Sequence, residues 1–239
     1  MKNIPLSERI IFALDTASLD QAKAWVRLLG PRINYFKVGL QLFLAHGFTI
    51  VDWVLDQGHK LMLDLKFLDI PQTVGLAMAE AARHGAHLAT VHAHTTGTLR
   101  AAVSGAGNTG VLGVTVLTSV GPEEVRELRC DASVEELVST RAGYALAAGC
   151  AGVVASGLEA QALRREYGQD FLIVTPGIRS AGHDLGDQRR VLTPGRALAY
   201  GADHLVVGRP ISQAQDPVAE AEAMLAEVAQ TVADLGPEA

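Results

Sequence analysis

Short apolar runs rich in Val, Ile and Leu alternate along the chain with longer stretches in which apolar residues recur at helical spacing. A short apolar run bounded by turn residues is typical of a buried strand, whereas apolar residues three and four positions apart predict an amphipathic helix. The strand-like runs lie at Arg9–Asp15, Tyr35–Leu40, Lys60–Lys66, Leu88–Ala93, Gly110–Leu117, Gly152–Ser156, Phe171–Ile178 and His204–Ile211. Helical spacing is clearest at Leu19–Leu29, Thr73–Arg83, Val134–Ala148, Leu158–Tyr167 and Val218–Leu235.

Residues that start and stop helices support this division. Ser18 and Ser156 stand where a helix N-cap is expected, and Gly30 and Gly168 stand where helices end. Eight strand–helix pairs without an intervening linker predict an α/β protein with a single (β/α)8 barrel, the TIM-barrel fold, over residues 1–239 as one domain. A doubly wound open sheet is the structural alternative, but such sheets usually contain fewer strands.

Composition and charge narrow the possible functions. The 239 residues are 49% hydrophobic and 19% charged, which is sufficient for a buried core and unlike a disordered chain. The net charge is −6 and no basic stripe is visible, so we expect no nucleic-acid partner. Only two cysteines, and the lack of a long apolar run or an apolar signal core, favour a cytoplasmic protein without a membrane partner.

Charged residues cluster at the ends of the first three predicted strands, which is where TIM barrels carry their active sites. Asp15 ends the first strand, and Lys37 lies on the second. Asp64 and Lys66 are two apart on the third, so both side chains should point the same way, into the barrel mouth. Asp69 lies just beyond that strand. A purely structural ion-pair network is the alternative, but this location favours catalysis.

The last two predicted strands end in residues suited to a phosphate group. Gly208 and Arg209 lie at the end of the eighth predicted strand, where glycine permits close backbone approach and arginine can clamp phosphate oxygens. An ordinary turn with a solvated arginine is the alternative. Thr175–Arg179 ends the seventh strand, and the long polar segment Ser180–Arg190 that follows it predicts a closing lid.

Two further patterns are not interpreted as cofactor sites. Gly105–Gly110 fits G-x-G-x-x-G, but a helix precedes it and a strand follows, the reverse of a dinucleotide site. His92 and His94 could share a strand face, yet no third ligand is evident. We therefore expect neither an organic cofactor nor a metal.

The segment Asp64-Leu-Lys66-Phe-Leu-Asp69-Ile-Pro-Gln-Thr73-Val resembles the signature of the orotidine 5'-phosphate decarboxylase family. The family usually has His where this chain has Leu68, and Ser-Gly-Gly after His-Ala where this chain has His94-Thr-Thr. The other matching motifs, in the family's order, are Leu14-Asp15, Lys37-Val38-Gly39, Val114-Thr-Val-Leu-Thr118-Ser, Thr175-Pro-Gly-Ile-Arg179, Asp187-Gln188-Arg-Arg and Val207-Gly208-Arg209-Pro210.

The resemblance implies a role for each charged residue. Lys66 would donate a proton to C6 of the pyrimidine, and Asp64 would lie beside the scissile carboxylate. Lys37 and Asp69 would complete an array of alternating charges. The remaining implied contacts are with the substrate. Asp15, Lys37 and Thr73 would bind the ribose, and Thr118 would bind the pyrimidine amide. Arg179, Gly208 and Arg209 would bind the phosphate, Gln188 would bind phosphate and base, and Ile70 would be a further substrate-binding residue.

The resemblance also implies a reaction and a partner. The reaction would be cofactor-free decarboxylation of orotidine 5'-monophosphate to UMP and CO2, the last step of pyrimidine biosynthesis. The partner would be a second copy of the chain, contributing Asp69 and Thr73 to a shared site. The alternatives are a Mg²⁺-dependent relative, either a keto-gulonate phosphate decarboxylase or a hexulose phosphate synthase, and an inactive phosphate-binding protein.

Overall fold

Eight short strands lie at the centre of the computed structural model, which describes residues 2–127, 129–179 and 192–236. All neighbouring strands are parallel, and pairing of the first with the eighth closes them into a barrel in chain order. The predicted (β/α)8 barrel is therefore confirmed, and the open-sheet alternative is wrong. The strands are β1 Ile10–Ala13, β2 Tyr35–Gly39, β3 Lys60–Phe67, β4 Leu88–His92, β5 Gly110–Val114, β6 Gly152–Val154, β7 Leu172–Thr175 and β8 His204–Val207.

Helices surround the barrel, and several begin at side chains that cap their free backbone N–H groups. Ser18 accepts a hydrogen bond from Gln21 N, and Ser133 forms a reciprocal capping box with Glu136. In the described part of the chain the helices are α1 Leu6–Arg9, α2 Leu19–Leu29, α3 Leu40–His46, α4 Phe48–Asp56, α5 Pro71–Arg83, α6 Thr96–Gly105, α7 Pro122–Glu127, α8 Val134–Ala147, α9 Gly157–Tyr167, α10 Pro194–Ala199, α11 Arg209–Ser212 and α12 Pro217–Leu235. None of these described helices has the length and apolarity needed to cross a membrane.

Seven of the eight strands are shorter than their apolar runs predict, and β5, β7 and β8 each end three or four residues early. β5 ends at Val114 rather than Leu117, and β7 ends at Thr175 because Pro176 has no N–H to donate to a ladder. β8 ends at Val207 rather than Ile211, and the remaining residues start the short helix α11. Pro210 lies in the first turn of that helix, where a missing N–H costs nothing.

Alternate residues of each strand enter two separate apolar cores. One core fills the space between strands and helices, with Phe12, Phe36 and Leu63 among its members. The other fills the barrel interior and consists of Ile11, Tyr35, Met62, Leu88, Leu112, Val114, Val154 and Val174. Because side chains two apart share a face, the residues following this inner core also point inward, closer to the C-terminal mouth. They include Lys37, Asp64 and Thr90.

A buried ion-pair network lies at the N-terminal end of the barrel around Asp203, which directly precedes β8. Arg164 Nη2 lies 2.6 Å from Asp203 Oδ2, and Lys2 Nζ lies 3.2 Å from the same oxygen. Arg9 donates to the backbone carbonyl of Asp203 at 3.1 Å. Buried charges are tolerated only when paired in this way. Because this network lies at the end opposite the barrel mouth, it serves stability.

Candidate active site

Four charged side chains of alternating sign lie in line across the C-terminal mouth of the barrel. Lys37 Nζ is 3.1 Å from Asp15 Oδ1 and 3.6 Å from Asp64 Oδ2. Lys66 Nζ is 2.8 Å from the same Oδ2 of Asp64. The side chains of Lys37 and Asp64 are buried, whereas those of Lys66 and Asp15 are 30% and 60% exposed. We call Asp15, Lys37, Asp64 and Lys66 the charge array.

Mutual pairing keeps the two inner members of the array ionised. Burial alone would lower the pKa of Lys37, but the carboxylates of Asp64 and Asp15 outweigh it and the pKa is raised. Burial alone would raise the pKa of Asp64, but Lys37 and Lys66, together with a hydrogen bond from Thr90, leave that pKa below its usual value. Lys37 and Asp64 therefore both stay charged at neutral pH although their side chains are buried.

Lys66 reaches Asp64 through an unusual backbone conformation rather than by simple strand alternation. Its φ is 50°, in the left-handed region that costs a non-glycine residue roughly 1–2 kcal/mol. The β3–β4 pairing also shifts register here, from Leu63 opposite Ala89 to Phe67 opposite Val91. The third strand therefore bulges at the lysine. The sequence correctly places Asp64 and Lys66 on one side, but regular alternation is not what brings them together.

Two adjoining cavities lie at the mouth, and Asp64, Pro176 and Val206 line both. The first, of about 180 Å³, is polar and is lined by Ala13, Asp15, Lys37, Gly177, Gly208, Arg179 and Arg209 in addition to the shared residues. The second, of about 220 Å³, is mainly apolar and is lined by Met62, Lys66, Val114, Val116, Leu117, Thr118, Ser119, Val154 and Ala155 besides them. A ligand with a flat apolar ring and an anionic tail matches this division.

The polar cavity needs glycine at two points. Gly177 has φ 78°, which lets the chain turn sharply between Pro176 and Arg179. A Cβ on Gly208 would lie only 3.3 Å from both Ala13 Cβ and Asp15 Oδ2. The backbone at the end of β8 is thus left open toward the cavity, with the exposed Arg209 next to it.

Asp69, Ile70 and Thr73, all predicted site residues, do not line either cavity in the single chain. All three are exposed. Asp69 Oδ1 accepts a hydrogen bond from the backbone N–H of Ile70 at 2.6 Å, and within the described ranges this carboxylate forms no ion pair. Three large apolar side chains on the same segment, Leu68, Ile70 and Leu76, are each more than half exposed.

Of the remaining predicted contacts, Thr118 is buried at the wall of the apolar cavity. Arg179 Nη1 donates to the carbonyl of Ile178 at 2.8 Å. Gln188 and the predicted lid Ser180–Arg190 lie outside the described residues.

His92 and His94 face each other at the end of β4, with ring centroids 5.1 Å apart. Burial, with added repulsion from His94, Lys66 and Arg141, lowers the pKa of His92 to about 4, so its ring is neutral at pH 7. In the described ranges, no three or more His, Cys, Asp or Glu side chains are grouped to hold a metal ion.

Sequence reasoning missed two polar residues near the array. Thr90 lies on β4 and contacts both Asp64 and Lys66. Arg141 on α8 donates to the carbonyl of Thr115 at 2.7 Å and raises the positive potential around the two histidines. Thr90 could have been found, because it lies two residues after Leu88 and therefore on the inward face. Arg141 carries no such signal in a helix whose spacing indicates only packing.

Comparisons with known proteins show the family of this chain. The family model described as "Orotidine 5'-phosphate decarboxylase / HUMPS family" matches residues 8–224. The chain is 43% identical over 229 residues to an orotidine 5'-phosphate decarboxylase of Methylococcus capsulatus, covering 95% of this chain and 94% of that protein. It is 45% identical over 225 residues to the enzyme of that name in Rhodopseudomonas palustris strain HaA2, covering 93% and 95%. The crystal structure of orotidine 5'-phosphate decarboxylase from Lactobacillus acidophilus is similar with TM-score 0.82 and 36% identity, over 92% of this chain and 99% of that one.

Proposed function

The chain belongs to the orotidine 5'-phosphate decarboxylase / HUMPS family and decarboxylates orotidine 5'-monophosphate to UMP and CO2, and for this reaction we propose that Lys66 donates the proton without help from a cofactor. The main support is the contact of Lys66 Nζ with Asp64 at 2.8 Å, at a point where an apolar cavity meets a polar one. The pyrimidine would occupy the apolar cavity and the phosphate the polar one. One catalytic domain over residues 1–239 would carry the whole reaction.

The chemistry needs a cation at the position that Lys66 occupies. Loss of CO2 leaves negative charge on C6, which has no electron sink in the pyrimidine ring. A fixed ammonium beside C6 stabilises that charge as it develops and then supplies the proton that replaces the carboxylate.

Asp64 contributes a second, smaller effect. Its carboxylate would face the substrate carboxylate, and two unit charges about 4 Å apart repel by roughly 4 kcal/mol at an effective dielectric of 20. Departure of CO2 relieves that repulsion. Because Lys37 and Lys66 already balance much of the charge on Asp64, we assign the larger share of catalysis to the lysine.

The other contacts bind the parts of the substrate that do not react. Lys37 and Asp15 would hydrogen-bond the ribose hydroxyls. Thr118 would recognise the pyrimidine amide. Arg179, Gly208, Arg209 and Gln188 would bind the phosphate, and Gln188, in the predicted lid, would also reach the base.

A second copy of the chain would complete the site by supplying Asp69, Ile70 and Thr73. Their exposure, and the apolar side chains of Leu68 and Leu76 on the same segment, support a homodimer with shared sites. We place this enzyme in the cytoplasm, with neither nucleic acid nor membrane as a partner.

The direct assay follows the ultraviolet absorbance of orotidine 5'-monophosphate mixed with the purified protein. Conversion to UMP changes that absorbance, and chromatography of the product identifies UMP. An unchanged substrate would refute the proposed chemistry.

We expect turnover to be unaffected by EDTA, because the charge array itself supplies the positive charge that the reaction requires. The measurement is the initial rate after dialysis against chelator, with and without added Mg²⁺. A rate lost to the chelator and restored by Mg²⁺ would instead favour the keto-gulonate phosphate decarboxylase or hexulose phosphate synthase alternative. Those substrates, assayed in parallel, would then be turned over.

Replacing Arg209 by alanine should lower kcat/KM by about 100-fold, although the residue is remote from the scissile bond. Binding energy from the phosphate is available to position the ring and close the site. Steady-state kinetics with orotidine 5'-monophosphate measure the change. Arg32→Ala is the matched control, since Arg32 pairs with Glu222 on the surface and lines neither cavity. Equal kinetics for the two variants would remove Arg209 from the phosphate site.

A further inference from the structure

The strained backbone of Lys66 is held by a side chain from the neighbouring strand. The N–H of Lys66 donates to Thr90 Oγ1 at 2.9 Å, and the same hydroxyl donates to Asp64 Oδ1 at 2.9 Å. Thr90 lies on β4 and has no exposed surface. One hydroxyl thus joins the backbone of the proposed proton donor to the carboxylate beside it.

Without this hydroxyl, both the backbone of Lys66 and the carboxylate that its side chain contacts would be held less firmly. A lysine in the left-handed region tends to relax toward ordinary φ values unless its surroundings hold it. The β3–β4 register shift leaves the Lys66 N–H out of the regular ladder, and Thr90 supplies its acceptor. Asp64 Oδ2 meets Lys37 and Lys66, whereas Oδ1 is held by Thr90.

Other buried threonines use their hydroxyls differently. Thr109 donates to the carbonyl of Ala86 at 2.7 Å, and Thr115 donates to the carbonyl of Val154 at 2.9 Å. Those bonds satisfy backbone groups of the barrel. Thr90 differs because both groups it contacts belong to residues of the charge array.

We propose that Thr90 is a positioning residue, whose hydroxyl fixes Lys66 Nζ against Asp64 and so sets the rate of proton delivery. This inference rests on the proposed role of Lys66. Thr90 lines neither cavity, so it acts through Lys66 and Asp64 rather than by touching substrate. Its loss should therefore lower kcat while the contacts that bind phosphate and ribose keep KM nearly unchanged.

The test compares hydroxyl and hydroxyl-free side chains of matched size. Thr90→Val retains the branched shape without the hydroxyl and should lower kcat by roughly 10- to 100-fold, with KM within about threefold. Thr90→Ser retains the hydroxyl and should recover most of that loss, whereas Thr90→Ala should not. If the valine variant does not fold, the serine and alanine pair gives the same comparison. Thr109→Val, at the opposite end of the barrel, should lower the melting temperature and leave kcat unchanged.

Specific outcomes would overturn the proposal. They are a kcat for Thr90→Val within about twofold of the wild-type value, a serine variant as impaired as the alanine variant, or an equal loss in Thr109→Val. Lys66→Ala is assayed in the same series. If Lys66→Ala remains active, the role of Lys66 is wrong. If it is inactive while Thr90→Val is fully active, only the role of Thr90 is wrong.

Discussion

Replacing Lys66 by alanine should lower kcat by at least about 1000-fold while the protein still binds UMP. The lysine acts where charge develops and where the proton is delivered. General-acid catalysis contributes roughly 10²–10⁴-fold to a rate, and electrostatic stabilisation by one group contributes roughly 10²–10³-fold. The residues that we propose for phosphate and ribose binding line the other cavity, so these contacts should survive. Absorbance kinetics at saturating substrate measure kcat, and titration calorimetry measures UMP binding.

Lys60→Ala is the matched control for this substitution. Lys60 begins the same strand at the opposite end of the barrel and pairs with Glu8 at 2.7 Å. Its removal should reduce stability, because the mostly buried carboxylate of Glu8 loses its partner, and should leave kcat unchanged. A Lys66→Ala variant with more than about a tenth of wild-type kcat would contradict the assignment of the proton donor, since its barrier would be raised by less than about 1.4 kcal/mol.

Mixing two inactive variants should restore activity if the sites are shared between subunits. Lys66→Ala and Asp69→Ala homodimers should each be nearly inactive. In a mixed dimer one site receives both defects and the other receives neither. Random exchange makes about half of the dimers mixed, so about a quarter of wild-type activity should return after the variants are unfolded, mixed and refolded.

The control is a mixture of Lys66→Ala with Asp64→Ala. These two residues contact each other within one chain, so every site in a mixed dimer carries one defect and no recovery is expected. Size-exclusion chromatography with differently tagged chains verifies that mixed dimers form. If verified mixed dimers of Lys66→Ala and Asp69→Ala stay inactive, Asp69 acts within its own barrel and the shared site is wrong.

The barrel and most of the charge array could be predicted because both depend on local patterns. Strand spacing identified eight strands, and the position of Asp64 and Lys66 at a strand end predicts that both lie at the mouth, although a bulge rather than regular alternation brings Lys66 to Asp64. The strand ends themselves were less accurate. Arg209 was placed within a strand, whereas it begins a short helix, because an apolar run does not reveal where pairing with a neighbour stops.

The finer geometry of the site depends on contacts that no local pattern encodes. The left-handed turn at Lys66 arises from the register between β3 and β4 and from the hydroxyl of Thr90, which lies 24 residues further along the chain. The position of Asp69 relative to Lys66 likewise depends on a contact that no local pattern encodes. Its proposed partner belongs to a second chain, so neither the sequence nor one folded copy brings it to Lys66.

Closure of the barrel by β1 and β8 bears on how the chain reaches its native state. Ile10 pairs with Leu205, so the seam joins segments from opposite ends of the sequence. Such a contact forms late, because a long loop must first be closed and because synthesis delivers the N-terminal strand long before its second neighbour. Until then, one edge of β1 is open to pairing with other chains. Substitutions that weaken the seam should therefore reduce the yield of folded protein through aggregation, while each molecule that does fold retains full turnover.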